Sequence, residues 1–146
     1  MLGILTQNLH DQILIDNLNV ASKHTNAVVF CDKIMERSTP LNFSVLQLIE
    51  AFHFSGNAIT NNLGNLQQAI NLGYAKTIYY YVQNYDWASQ ERIAFKQIQS
   101  LIMPDYVHLI AKDDHDYELL SSLFNKKPKY VMQNWDHNVL VEIGNG

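Results

Sequence analysis

Polar side chains with chemical potential fall in a few short clusters, most of them directly after apolar runs. Gln7, Asn8 and His10 follow the first run, Asn61 and Asn62 the third, and Gln83, Asn84, Tyr85, Asp86 and Trp87 the longest. Tyr85 and Trp87 flank Asp86, a pattern in which ring faces pack on sugar C–H surfaces while a carboxylate accepts hydroxyl hydrogen bonds. The plainer alternative has Trp87 packing under its own helix with Asp86 as the cap. Asn61-Asn62-Leu63-Gly64 could present helix-start N–H groups to an anion, or serve as an ordinary cap. His10 is a candidate for a binding or catalytic role because it follows the first strand at a predicted crevice, whereas His53 and His108 lie in apolar segments and read as core histidines. Asp113-Asp114-His115-Asp116 has the oxygen-rich look of a metal cluster. Those residues fall in the first turn of a predicted helix, where carboxylates complement the dipole, so capping is the better reading. Trp135-Asp136-His137 repeats the aromatic-acid theme, with docking of a terminal segment as its plainer alternative. No metal site or other cofactor is expected, and no residue is assigned to catalysis.

Composition narrows the function class. The glycines at 3, 56, 64, 73, 144 and 146 do not form G-x-G-x-x-G, and no G-x-x-x-x-G-K run occurs, which speaks against dinucleotide and nucleoside-triphosphate chemistry. A net charge of −4 gives no footprint for nucleic acid. Only 16% of residues are charged, against roughly 25% in soluble chains, while fifteen Asn and ten Gln supply surface amides instead. Weak charge repulsion between copies leads us to expect a homo-oligomer. One cysteine, Cys31, excludes an internal disulfide and reads as a buried thiol in a reducing compartment. No basic leader follows Met1 and no apolar run is long enough to span a membrane, so a cytoplasmic protein is expected.

The elements that must position these clusters alternate in type. Strands are predicted over 2–6, 27–31, 57–60, 77–82, 106–111 and 129–132. Helices are predicted from Asn8 to about Lys23, from Ser44 to Phe54, from Asn61-Asn62 to Gly73, from Asp86 or Ser89 to Pro104 with Ile93, Ala94, Ile98, Leu101 and Ile102 inward, and from Asp113 to Phe124. The run Ile78-Tyr-Tyr-Tyr-Val82 is β-favouring without alternation, as befits a central strand covered on both faces. Such alternation implies right-handed crossovers and one α/β domain over 1–135, a doubly wound, mostly parallel sheet of order 2-1-3-4-5-6 with helices on both faces. Strands 1 and 3 then diverge at a switch point whose carboxyl edge gathers the ligand groups. Residues 136–146 form a tail whose apolar side chains, with Trp135, are offered to an interface.

The run Tyr-Tyr-Tyr-Val-Gln-Asn-Tyr-Asp-Trp at 79–87 resembles the "y-f-v-Q-d-y-E" segment of GT-B-type glycosyltransferases of the rhamnan-synthesis kind. Ala58-Ile-Thr before a helix, Tyr106 to Lys112 before Asp113, and Tyr130-Val-Met-Gln-Asn are similar to the second half of the amino-terminal Rossmann-like domain in such enzymes. The resemblance covers roughly residues 43–135. It implies a loop at Gln83, Asn84, Tyr85 and Asp86 near an interdomain cleft, with Asn84 in place of the usual acid and Asp86 in place of the usual Glu. It also implies a nucleotide-sugar site on a second domain that this sequence lacks, so sugar transfer would need a partner chain or self-assembly. The alternative from the same residues is a non-catalytic binding or assembly module.

Overall fold

The computed structural model describes residues 1–34, 40–73, 75–89 and 95–146, apart from the side chains of residues 86 and 89. Seven strands make one parallel sheet: β1 (Leu2–Asn8), β2 (Ala27–Lys33), β3 (Ser44–Gln47), β4 (Asn57–Thr60), β5 (Thr77–Val82), β6 (Val107–Ala111) and β7 (Tyr130–Val131). Their order is β3-β2-β1-β4-β5-β6-β7, a Rossmann-like arrangement with the switch point between β1 and β4. The pairings of the expected six-strand order are all present, and β3 is added at the edge beside β2.

That extra strand corrects the reading of 44–54 as a helix. Ser44–Gln47 pairs with β2, and Leu48–His53 forms a 3-10 helix. Val45, Leu48, Ile49 and Phe52 have helical spacing, yet Ile49 and Phe52 are exposed while Ala51 and Phe54 are buried. Pairing with the β2 edge decided the conformation where spacing alone could not. Both early strands also run past their expected ends, β1 to Asn8 and β2 to Lys33. Consequently Asn8 lies in the strand, and Asp11 caps α1 (Gln12–Ala21) by accepting the Ile13 and Leu14 N–H groups at 3.0 and 3.3 Å. The helix begins later than the Asn8 start that the sequence suggests.

The other caps follow the residue types. Asn62 accepts the Asn65 N–H at 2.9 Å to start α2 (Leu63–Leu72), which ends on Gly73 at φ +63°, the left-handed conformation that glycine adopts without strain. A 3-10 turn, Asp86–Ser89, lies where the helix start is expected, and α3 is described over Phe95–Ile102; residues 90–94 between them lie outside the described residues. Ile93, Ala94 and the capping side chains of Asp86 and Ser89 lie outside the described residues. Asp113 caps α4 (Asp114–Phe124) by accepting the Asp116 N–H at 2.7 Å. Among the described residues no helix is long and apolar enough to cross a membrane.

The sheet has two covered faces. Ala51, Phe54, α2, α3 and α4 pack on one, with Leu5, Phe30, Tyr80 and Val82. On the other, α1 and α5 (His137–Asn145) cover Leu2, Ile4, Val29, Tyr79 and Tyr81. The segment expected as a tail is therefore a helix that buries Leu140 and Ile143 within its own chain, as Trp135 is buried just before it. Asn57 fixes it in place, donating to the Ile143 carbonyl at 2.8 Å.

Candidate functional site

The carboxyl ends of the strands carry every polar cluster singled out in the sequence, but the structure groups them differently. Gln7 and Asn8 are exposed at the end of β1 and His10 just beyond it; the Asn8 carboxamide accepts the His10 N–H at 3.4 Å, and His10 borders a small 60 Å³ cavity on the β2 side. Asn61 and Gln83 do meet, with the Asn61 amide donating to Gln83 Oε1 at 2.8 Å across β4 and β5. Asn62 is occupied as the α2 cap. Asn84 is exposed, and Asp86 opens the 3-10 turn.

The aromatic pair turns inward. Trp87 is 7% exposed and packs near Phe124, with ring centres 6.0 Å apart, and half-buried Tyr85 lies 5.8 Å from it. Burial, and then the neighbouring Asp116 carboxylate, push the Tyr85 phenol up to about 12. Burial likewise raises Tyr80 to about 12, partly offset by a bond with Trp87. Both hydroxyls stay protonated at neutral pH, and the two rings of Tyr85 and Trp87 border a mainly apolar cavity of about 340 Å³ with Phe95, Ile98, Leu119 and Leu123.

A polar cleft of about 400 Å³ opens instead beyond β5, β6 and β7, lined by Tyr81, Gln83, Lys112, Asp113, Gln133 and Asn134. Adjacent strands lie roughly 4.8 Å apart, so these groups spread over about 10 Å. Gln83 spends its carbonyl oxygen on Asn61, which leaves its amide hydrogens as donors. Lys112 is partly exposed and lies 3.5 Å from the buried carboxylate of Asp116, too far for a good hydrogen bond yet close enough to pair charges. Asp113 uses one oxygen for its cap and has a second acceptor oxygen to spare.

The far wall is a strained turn. Asp136 donates its N–H to the Gln133 carbonyl at 3.0 Å, and both central residues, Asn134 and Trp135, have positive φ of 49° and 58°. That is the type I′ geometry; Asn suits it, whereas a tryptophan there is a steric outlier. Burial holds it, because the Trp135 ring stands edge-on to Tyr81 at 4.8 Å and its indole N–H donates to Asp11. Asn17 of α1 also donates to the Asn134 carbonyl at 3.1 Å. Tyr81 donates its hydroxyl to the Met132 carbonyl at 2.6 Å, and burial raises its pKa. Gln133 and Asn134 are thus displayed from a turn tied to the core on two sides.

Of the predicted residues, the cleft gathers only Gln83. Lys112 and Asp113 had the look of a cap region, and Gln133 and Asn134 follow a strand of two residues whose end gives little sequence signal. His53 is exposed on the 3-10 helix rather than in the core, stacked on Phe52 at 3.7 Å. His108 is half-buried against Tyr79 at 5.3 Å. Cys31 is buried, its thiol donating to the Lys33 carbonyl at 3.6 Å. Among the described residues no group of three His, Cys, Asp or Glu side chains is arranged to hold a metal ion. Comparison of the chain with protein-family models, curated proteins and solved structures returns no match.

Proposed function

We propose that the protein is a glycosyltransferase-like domain, equivalent to the amino-terminal half of a GT-B enzyme, which binds a neutral glycan and depends on a partner chain or self-assembly for any sugar transfer. The observation that carries this reading is the cleft in which Gln83, Lys112, Asp113, Gln133 and Asn134 converge. Amides, one ammonium and one carboxylate offer donors and acceptors side by side, as vicinal hydroxyls require. One ammonium faces two carboxylates, Asp113 and Asp116, so the local charge opposes a phosphate and favours an uncharged ligand. The sequence similarity at 79–87 supplies the sugar-transfer context.

Amide-shift mapping of the full chain with neutral oligosaccharides and with nucleotide sugars tests the reading. Shifts at Gln83, Gln133 and Asn134 with a neutral glycan, weakened by Asn134→Ala, are the expected result. No response to any neutral sugar at millimolar concentration overturns it. The isolated chain should not turn over nucleotide sugars, since the reactants would lack a second wall to hold them in reacting geometry. A second reading, a binding module without catalysis, is favoured by one observation: Asp113 caps α4 and Lys112 pairs with Asp116, so both charged groups of the cleft already have structural roles.

A further inference from the structure

The connection from β3 to β4 differs from its neighbours on the same face of the sheet. The next three crossovers there use α2, α3 and α4, of ten, eight and eleven residues, whereas this one has only the six-residue 3-10 helix Leu48–His53. Beside it a groove of about 730 Å³ remains, floored by the buried side chains of Val28, Phe30 and Phe54 and edged by polar ones that include Asn26, Asn42 and Ser44. Three residues per turn sort the short helix into ridges. Leu48, Ala51 and Phe54 make the ridge that turns to the core, Glu50 and His53 line the groove, and Ile49 and Phe52 form a third, outer ridge. Ile49 is the most exposed large apolar side chain among the described residues at 78%, and Phe52 is 54% exposed, its ring supported by His53 at 3.7 Å.

From this we infer that the groove and the Ile49/Phe52 ridge form a two-fold interface between copies of this chain, each ridge entering the groove of the other. An isologous contact must be self-complementary within a single patch, and this patch holds both an apolar projection and a recess with an apolar floor and a polar rim. Its polar groups are complementary too: across a two-fold axis the Glu50 carboxylate of one copy can accept a hydrogen bond from the His53 imidazole of the other. One Glu50 oxygen is spent on the Gln47 N–H at 2.8 Å, and the second is available for such a contact. Few like charges oppose the approach, because residues 40–57 hold no ionisable side chain besides Glu50 and His53. The interface lies beside β3, at the opposite end of the sheet from β5–β7, and leaves the polar cleft open.

Sedimentation of the full chain at tens of micromolar tests this. The expected mass is twice 16.8 kDa. Ile49→Asp should raise the dissociation constant roughly tenfold or more with an unchanged circular-dichroism spectrum, since the side chain is exposed. Ile13→Asp, equally polar but on α1, should leave the dimer intact. A wild-type monomer overturns the inference, as does a dimer that survives both Ile49→Asp and Phe52→Asp, or one that Ile13→Asp dissociates and Ile49→Asp does not.

Discussion

Trp135 donates its indole N–H to the carboxylate of Asp11 at 3.1 Å, joining residues 124 positions apart. Asp11 spends its other oxygen on the first turn of α1. One carboxylate therefore holds both the start of the first helix and the turn that displays Gln133 and Asn134. Trp135→Phe keeps a ring against Tyr81 but removes both the donor and part of the buried indole. Hydrogen bonds to charged groups contribute about 1.5–3 kcal/mol and the lost ring volume adds to that, so we expect a loss of about 2–4 kcal/mol, read as a lower urea midpoint. An unchanged midpoint would show that the strained turn needs no such tether.

Gly144 lets α5 approach the loop before β2. A Cβ added there would sit 2.4 Å from Thr25 Oγ1 and 2.9 Å from its methyl carbon. Gly144→Ala should destabilise by about 1–3 kcal/mol through overpacking, and Thr25→Ala in the same chain should recover part of that loss. A double-mutant cycle with no coupling would place the strain elsewhere.

His108 gives the fold an acid-sensitive element. Burial, and then Lys129 and Lys126, hold its pKa below the ordinary 6.5. The unfolded chain thus takes up a proton near pH 6.5 while the folded chain resists until lower pH. Stability present above pH 6.5 is lost as the pH falls through the folded pKa. Thermal melts of His108→Gln should show a flatter dependence than wild type below pH 6.5, and identical slopes would refute the assignment.

Lys126 closes the end of α3. Its ammonium donates to the carbonyls of Ile102 at 2.8 Å, Pro104 at 3.0 Å and Val107. Burial pushes its pKa down, yet three acceptors keep the charge in place. Lys126→Met would strand those carbonyls and should cost about 1–3 kcal/mol. Faster amide exchange at residues 102–107, more than elsewhere, is the accompanying sign.

The strand and helix alternation was legible because Leu2–Asn8, Asn57–Thr60 and Thr77–Val82 are short apolar runs bounded by Asn, Gln and Gly. Asn62 and Gly73 marked α2 at both ends for the same reason. What sequence could not show was any effect of a distant partner. Ser44–Gln47 became a strand because β2 had an open edge, and residues 137–145 became a buried helix because α1 and β1 left room for it. The cleft was missed on similar grounds: Lys112, Asp113, Gln133 and Asn134 come together only through strand order, and the left-handed Trp135 that fixes the last two has no local signature.

The docking of α5 on β1 and α1 sets a timetable for synthesis. Leu2 and Ile4 emerge from the ribosome well before the Leu140 and Ile143 side chains that help cover them. At about 5–20 residues per second the nascent chain carries that apolar face open for on the order of ten seconds. During that interval one side of the sheet is complete enough to fold while the other resembles an unfinished surface, available to a holdase or to another nascent chain. Emergence of α5, rather than formation of the central strands, is then the moment at which this face is sealed against aggregation.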